Sequence, residues 1–227
     1  PMSFRLVVLI SGSGSNLHAI LNACGQSETA TGSLRISGQV VGVLSNKADA
    51  YGLQRAQLAG VPTAVLAHTD YADRVAFDAA MLKQIEQWQP DVVVLAGFMR
   101  ILSTEFVHAL HGRLINIHPS LLPKYKGLHT HQRALEAGDP VHGCSVHFVT
   151  PELDGGPVIA QAVVNVESTD TVETLAARVH QAEHQLYPTV LAWLADQRLR
   201  LVNAQVCLDG LALSTPPQLA ISRSTAP

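Results

Sequence analysis

The sequence has few of the features that define several classes of protein. Only 15% of the 227 residues are charged and the net charge is −3, so we expect no basic surface for nucleic acid or anionic membranes. The three cysteines lie far apart and lack CxxC spacing, which argues for free thiols in a reducing compartment. No apolar run reaches ~18 residues, and no signal-peptide pattern opens the chain. These absences predict a cytoplasmic protein without membrane or nucleic-acid partners.

The apolar fraction of 47% is enough for a sizeable core. We find no internal repeat and no linker that would divide the chain. The sequence therefore predicts one domain over residues 1–213, with halves of about 1–110 and 111–213. Residues 214–227 are rich in Pro and Ser, and we expect a disordered tail there.

The first half alternates between short apolar runs and helical patterns. Strands are predicted at 5–10, 40–44, 61–66 and 91–96, and helices at 17–24, 48–59, 70–88 and near Ser103. The run 61–66 contains Pro62, which favours an edge strand, whereas 91–96 is fully apolar and should be central. This alternation is typical of an α/β fold with a doubly wound, mostly parallel, Rossmann-like sheet.

The second half has a different pattern. Residues 128–137 read as a helix, and two strands at 141–149 and 157–166 flank a loop, which predicts an antiparallel extension of the sheet. Asp170 should begin the last long helix, with Glu173 as its capping-box partner. A terminal hairpin is expected around Asp209-Gly210.

A glycine-rich turn, Ser11-Gly-Ser-Gly-Ser-Asn16, joins the first strand to the first helix. Backbone N–H groups at a helix N-terminus form a ready anion site. Leu17 stands where the dinucleotide fingerprint needs its third glycine, and no P-loop Gly-Lys-Ser/Thr follows. We therefore predict a monophosphate held by Gly14, Ser15 and Asn16. The alternative is an ordinary turn with Ser15 capping the helix.

The strand 114–118 carries Asn116 and His118 two residues apart, so both side chains point to one face near a carboxyl end, where α/β sheets bind ligands. Asp154 precedes Gly155-Gly156 in a turn that would present its carboxylate. This amide, imidazole and acid include no nucleophile, and no Gly-x-Ser-x-Gly elbow exists. That composition favours direct transfer to an attacking group of the substrate. Taken singly, His118 could be a structural strand-end histidine and Asp154 a turn residue.

Glu183 lies on the apolar face of the last helix. That face is formed by Val172, Ala176, Val179, Glu183, Leu186, Val190 and Trp193. A carboxylate there is destabilising unless it has a partner. Three arrangements would avoid this cost: the carboxylate binds an amine of a ligand, it is buried against an Arg, or it lies at the rim of the interface.

The histidines raise the question of a metal site. His129 and His131, followed by His142 and His147, are ligand types, but no carboxylate or Cys stands at zinc spacing. Residues two apart on a helix do not share a face, so we predict no metal. Residues 121–141 are better explained as a mobile lid that excludes water.

Several motifs in order carry a family resemblance. They are Ile10-Ser-Gly-Ser-Gly-Ser-Asn-Leu17, Ser45-Asn-Lys-Ala-Asp-Ala50, Leu95-Ala-Gly-Phe-Met-Arg100, Asn116-Ile-His-Pro-Ser-Leu-Leu-Pro123 and Leu153-Asp-Gly-Gly-Pro157. Over about residues 5–210 the chain closely resembles the folate-dependent formyltransferases, in particular the phosphoribosylglycinamide formyltransferase family. The resemblance implies transfer of formyl from the cosubstrate 10-formyltetrahydrofolate to the amine of glycinamide ribonucleotide, in purine biosynthesis and without a metal.

The same resemblance implies roles for individual residues. Gly14, Ser15 and Asn16 would hold the ribose phosphate and Glu183 the glycinamide end, while Asn116, His118 and Asp154 would be catalytic. The folate pocket would be formed by Arg74, Met99, Arg100, Ile101, Leu102, Asn116, Thr150, Pro151, Glu152, Leu153 and Asp154. The chain departs from the family at Lys126, where Pro or Arg is frequent, and at Ser13, where Asn is common.

Two other functions remain open from the sequence. A formyltetrahydrofolate hydrolase would use the same triad with water as acceptor, but such proteins generally carry an N-terminal regulatory domain, for which a first strand at Leu6 leaves no room. A catalytically silent nucleotide-binding regulatory module is the other alternative. A methionyl-tRNA formyltransferase would need an additional RNA-binding domain. We expect small-molecule substrates and a monomer or homodimer.

Overall fold

The computed structural model describes residues 3–27 and 32–221, so the end of the predicted tail, residues 222–227, lies outside the described residues. The strands are β1 Phe4–Ile10, β2 Gly38–Ser45, β3 Thr63–Val65, β4 Val92–Leu95, β5 Leu114–His118, β6 Val141–Phe148, β7 Val158–Asn165, β8 Leu199–Val202, β9 Gln205–Leu208, β10 Leu211–Ala212 and β11 Gln218–Ala220. The helices are α1 Ser15–Ala23, α2 Gly52–Leu58, α3 Arg74–Gln87, α4 Thr104–Ala109, α5 Thr130–Glu136 and α6 Val172–Ala195, with a short 3-10 helix at His68–Asp70.

Eight strands form one sheet in the order β11-β7-β6-β5-β4-β1-β2-β3. The neighbours from β3 to β5 are parallel, whereas β6 pairs antiparallel with both β5 and β7. This arrangement confirms the predicted doubly wound α/β fold with an antiparallel extension. It also confirms that β3 is an edge strand and that β4 lies inside the sheet.

The residues of β1 explain why helices cover both faces of the sheet. Leu6, Val8 and Ile10 belong to one core cluster with α1 and α6, whereas Val7 and Leu9 belong to a second cluster with α3 and α4. Successive side chains on a strand point to opposite faces, and all five of these are fully buried. A continuous apolar run therefore requires a helical layer on each side.

The helix α6 is tied to the middle of the sheet. The Tyr187 hydroxyl donates to the carbonyl oxygen of Leu95 at 2.7 Å and lies 3.3 Å from that of Ile115. These contacts hold α6 over the carboxyl end of β4 and the adjacent part of β5. Within the part of the chain that is described, no helix combines the length and the apolarity that crossing a membrane requires.

The expectation of a disordered tail is wrong for its first part. β11 pairs in parallel with β7, with Gln218 opposite Gln161, and Leu219 packs against the core. The reason is non-local, since β7 would otherwise expose an unpaired edge, and a three-residue strand leaves no local pattern in the sequence. The predicted domain boundary near residue 213 stays a prediction.

Several predicted helix starts are also wrong in detail. The helix predicted from residue 48 begins at Gly52, and the N-cap of α6 is Thr171, one residue after Asp170, with Thr174 rather than Glu173 completing the capping box. The Asp170 carboxylate instead forms an ion pair with Arg178. The predicted helix 70–88 begins only at Arg74, because Asp73 caps it by accepting from the Ala76 N–H at 2.8 Å.

The C-terminal hairpin is larger than predicted. β8, β9 and β10 form a separate three-stranded antiparallel sheet. Asn203 and Ala204 turn the chain between β8 and β9 with φ values of 50° and 62°, a second turn that carries no glycine. The sequence signal at Asp209-Gly210 marks only the turn between β9 and β10.

Gly42 allows the Trp88 indole to pack directly on β2. A Cβ atom at Gly42 would lie 2.2 Å from Trp88 Cδ2, and Trp88 is anchored because its carbonyl accepts from Arg5 Nη2 at 2.7 Å. We expect Gly42→Ala to lower the free energy of unfolding by roughly 1–3 kcal/mol, measured by urea denaturation, as overpacking does.

The control for this prediction is Gly12→Ala. Among the described residues, no heavy atom lies within 4 Å of a Cβ at Gly12, so this change should stay within about 0.5 kcal/mol of wild type. Equal stability of the two variants would contradict the packing argument.

Candidate active site

The carboxyl ends of three neighbouring parallel strands, β1, β4 and β5, meet at one edge of the sheet. The loop after β1 is joined to its neighbours by Ser11, whose hydroxyl donates to Asn46 Oδ1 and accepts from the Met99 N–H at 2.8 Å. Asn116 and His118 end β5 beside these loops. The edge therefore gathers the glycine-rich loop, the turn 99–102 and the predicted catalytic strand.

The glycine-rich loop delivers the N-terminus of α1 to this edge. Gly14 is the N-cap residue with φ 71°, and a Cβ there would lie 2.6 Å from Gly52 Cα. Only glycine fits such a left-handed, closely packed position. Ser15 is the first helical residue, and within the described part of the chain no side chain caps the helix, so the alternative in which Ser15 caps α1 is wrong. A helix start without a side-chain cap suits an anion.

Glu183 and Asn16 form a buried polar pair behind the loop. Asn16 Nδ2 donates to Glu183 Oε1 at 3.1 Å, and Glu183 is only 6% exposed. Burial raises the pKa of Glu183 to about 7, and the Asn16 bond opposes this shift. The partner of Glu183 is thus an amide, rather than the arginine that one alternative required.

The same pair leaves two acceptors unused. Glu183 Oε2 and Asn16 Oδ1 are buried and have no hydrogen-bond partner within residues 3–27 and 32–221. Unsatisfied buried acceptors are destabilising unless a donor reaches them. Their chemistry fits a ligand that donates hydrogen bonds, such as an amine or a hydroxyl group.

His118 and Asp154 come together, as predicted from separate segments of the sequence. His118 Nδ1 lies 3.6 Å from Asp154 Oδ1, and both side chains are 8% exposed. His118 Nε2 lies 2.8 Å from the Tyr125 carbonyl oxygen. A carbonyl can only accept, so Nε2 carries a proton and Nδ1 faces the carboxylate. Tyr125 acts through its backbone, which no side-chain pattern in the sequence could have indicated.

A tight turn holds the Asp154 carboxylate in place. Asp154 has a left-handed backbone with φ 51°, and its Oδ2 accepts from the Gly127 N–H at 2.8 Å. A Cβ at Gly156 would lie 1.8 Å from the Phe148 carbonyl oxygen, so the glycine permits the chain to pass this strand. The turn therefore aims Asp154 at His118 and leaves its Oδ1 for the reaction site.

Asn116 has a neighbour that the sequence suggested only as a metal ligand. Asn116 and His147 are cross-strand partners on β5 and β6, and their Nδ2 and Nε2 atoms lie 3.5 Å apart. The sequence predicts an antiparallel extension of the sheet, but it does not predict which residues of β5 and β6 lie opposite each other. In contrast, His131 Nδ1 contacts His142 Nε2 at 3.0 Å, and no group of three potential metal ligands comes together among the described residues.

The predicted folate residues divide into two groups. Met99, Ile101 and Leu153 are apolar but 71%, 65% and 61% exposed, on the two loops that flank β5. Thr150, Pro151 and Glu152 continue the second loop and are half-buried or exposed. Exposed apolar side chains on loops beside the His118–Asp154 pair are typical of a ligand site.

The remaining predicted folate residues are Arg100 and Leu102, in the turn 99–102, and Arg74 on α3. The Arg100 guanidinium lies 4.9 Å from the centre of the Phe77 ring, and its buried Nε has no hydrogen-bond partner among the described residues. Leu102 packs against the core, which leaves it little surface for a ligand. Arg74 begins α3 one turn before Phe77 and is exposed, so it lies on the side of the loop that carries Arg100.

The predicted lid is held against the sheet. The Ser145 hydroxyl donates to the Ser120 carbonyl at 2.7 Å, and Gln161 Nε2 donates to the Leu122 carbonyl at 2.9 Å. The Ser120 hydroxyl in turn donates to the Lys124 carbonyl at 2.6 Å. These bonds fix the segment whose Tyr125 carbonyl contacts His118. Motion of residues 121–141 stays a prediction.

Comparison with known proteins agrees with this geometry. The sequence model of the formyl transferase family matches residues 4–191. The phosphoribosylglycinamide formyltransferase of Escherichia coli (strain K12) is 54% identical over 94% of this chain and 97% of its own length. That of Haemophilus influenzae is 44% identical over 92% of this chain and 95% of its own.

A solved structure gives the same result for the fold. The phosphoribosylglycinamide formyltransferase from Coxiella burnetii matches with a TM-score of 0.89 and 47% identity, over 96% of this chain and all of that one. Sequence and fold thus agree over nearly the whole chain. The chain belongs to the formyl transferase family.

Proposed function

We propose that this protein transfers the formyl group of 10-formyltetrahydrofolate to the amine of glycinamide ribonucleotide. The observation that carries the proposal is one sheet edge that holds both the His118–Asp154 pair and the unsatisfied acceptors of Asn16 and Glu183. Relatives that match over almost their full length and are named for this reaction support it. A folate cosubstrate accords with the family.

The acceptor substrate would lie against α1 and α6. Its phosphate would accept from the backbone N–H groups at Gly14, Ser15 and Asn16, where the helix N-terminus carries positive potential. Its glycinamide end would donate to Glu183 Oε2, which has no other partner in the described chain. This placement brings the amine toward β5.

The folate would occupy the other side of β5. Exposed Met99, Ile101 and Leu153 offer apolar contacts for its ring system, and Thr150, Pro151 and Glu152 offer a polar loop. Arg100, with an unpaired buried Nε, and exposed Arg74 offer positive charge. Leu102 would support the loop from beneath and contact the ligand least. The two substrates would then meet over Asn116 and His118.

The reaction joins the amine nitrogen to the formyl carbon and forms a tetrahedral intermediate with a developing oxyanion. Asn116 Nδ2–H and a protonated His118 Nδ1–H would donate to that oxygen. Preorganised donors of this kind are among the largest contributions to catalysis, and loss of one costs roughly 10²–10³ in rate. Because Nε2 is already held by Tyr125, Nδ1 is the nitrogen that acts.

The intermediate then collapses as the carbon–nitrogen bond to the folate breaks. The attacking amine loses a proton and the departing folate nitrogen gains one, so charge balances. Asp154 would stabilise the His118 imidazolium and carry the proton, directly or through water. The products are the formylated amide and tetrahydrofolate. A cytoplasmic location and a monomeric or homodimeric state remain predictions.

The proposed function is tested by an assay that omits one substrate at a time. Formyl transfer should require both 10-formyltetrahydrofolate and glycinamide ribonucleotide, because the substrate amine is the nucleophile. Tetrahydrofolate release and the formylated product are measured together. Donor breakdown at an equal rate without the acceptor would instead identify a hydrolase, and no reaction under any condition would indicate a silent module.

We expect His118→Ala to lower kcat by roughly 10²–10⁴-fold, because it removes both an oxyanion donor and the proton carrier beside Asp154. The melting temperature is measured in parallel to separate catalysis from folding. His111→Ala, an exposed histidine before β5, serves as the matched control. Near wild-type turnover in the His118 variant would refute its assigned role.

Glu183→Gln should change how stability depends on pH. The folded pKa of Glu183 is about 7 against an ordinary 4.5, so above pH 4.5 the unfolded state releases a proton that the folded state retains. Wild-type stability should therefore fall between about pH 4.5 and 7 relative to the variant, and the difference should then stay constant at up to about 3 kcal/mol. Urea denaturation across this range measures it.

The same variant should raise the KM for glycinamide ribonucleotide more than that for the folate, because Glu183 is assigned to the amine. Glu173→Gln, on the exposed first turn of α6, controls for the loss of one charge. An unchanged acceptor KM would return Glu183 to a purely structural role.

A further inference from the structure

Asn116 can donate to an oxyanion only if its amide is turned the right way. The two ends of a side-chain amide have nearly the same shape, and one donates while the other accepts. Exchange of the two ends would present a carbonyl oxygen to a developing negative charge, which repels it. Something beside Asn116 must therefore select the orientation.

The neighbour that can select it is His147. The two residues lie directly opposite each other on antiparallel β5 and β6, so their side chains share a face of the sheet. Asn116 Nδ2 and His147 Nε2 are 3.5 Å apart, at the long end of hydrogen-bonding distance. His147 is 2% exposed, so its ring is shielded from direct contact with the substrates.

The protonation of His147 follows from its second contact. Its Nδ1 lies 3.1 Å from the Phe148 carbonyl oxygen, which can only accept, so Nδ1 carries a proton. Burial lowers the pKa of His147, more than the Phe148 carbonyl and Asp154 raise it, which favours the neutral ring. A neutral ring with a proton on Nδ1 has its lone pair on Nε2, which faces Asn116.

We propose that His147 is a positioning residue that orients the Asn116 amide by accepting one of its two Nδ2–H groups. The inference rests on the proposed function, because it explains how Asn116 presents a donor to the oxyanion. In the opposite orientation, Asn116 Oδ1 would face the Nε2 lone pair, and the two acceptors would repel each other. In the favoured orientation the second Nδ2–H stays available to the substrate.

A double-mutant cycle tests this role with His147→Phe, Asn116→Ala and the combined variant. His147→Phe keeps the ring and removes the acceptor, so kcat should fall roughly tenfold to a hundredfold, no further than in Asn116→Ala. The KM values of both substrates should change little. In the Asn116→Ala background, His147→Phe should have no further effect, because no amide is left to orient.

Two further variants separate positioning from packing. Gln at position 147 places an amide oxygen near the site of Nε2, so His147→Gln should recover part of the kcat that His147→Phe loses. His142→Phe is the matched control, since His142 is also buried on β6 but contacts His131. When His142→Phe and Asn116→Ala are combined, the two fold-losses in kcat should multiply, as independent effects do.

Nitrogen NMR of the wild-type protein gives a test that needs no mutation. The His147 ring should be neutral near pH 7, with the proton on Nδ1. A proton on Nε2, a charged ring, independent effects of His147→Phe and Asn116→Ala, or an unchanged kcat in His147→Phe would each overturn the proposal. Wild-type protein that transfers no formyl group would reject the proposed function itself, a result distinct from all four.

Discussion

The parallel pairing of β1, β4 and β5 is the constraint on which the site depends. Parallel neighbours end at the same edge of a sheet, so strand pairing brings the glycine-rich loop, the turn 99–102 and His118 together, and the Met99 N–H adds one direct hydrogen bond to Ser11 of the loop. Tyr187 fixes α6 over β4 and β5, and Glu183 lies one turn before it on the same helix. The parallel strands and the helix packed on them thus position groups from four separate segments of the chain.

The site combines buried polar groups that are kept in different protonation states by their surroundings. Burial favours the neutral form of both Glu183 and His147, which raises the pKa of the acid and lowers that of the histidine. His118 is held by two contacts: Asp154 lies beside its Nδ1, and a backbone carbonyl accepts from its Nε2. Each group is therefore prepared for one task, whether binding a donor, orienting an amide or carrying a proton.

Much of the fold and of the candidate site could be predicted, because the sequence patterns that indicate them are local. The apolar run of β1, the glycine-rich turn and the Asn116-x-His118 spacing each define their structure within a few residues, and the mostly parallel sheet follows from the alternation of strands and helices. The predictions that were wrong concerned either a difference of one residue or a structure that depends on distant parts of the chain. The capping box at Thr171 differs by one residue from the prediction, and β11 forms only because β7 offers an open edge. The turn at Asn203 and Ala204 uses left-handed residues without a glycine.

The sequence by itself determined the fold class and the chemical types at the site, because hydrophobic periodicity and residue identity need no partner to be read. Only the tertiary structure decided which groups face each other. It pairs Asn16 with Glu183, gives His118 the carbonyl of Tyr125, and places His147 across from Asn116. These contacts depend on strand register, on the packing of α1 beside α6 and on the path of the loop after β5. A register shift of one residue would turn His147 to the opposite face, and no local pattern encodes that choice.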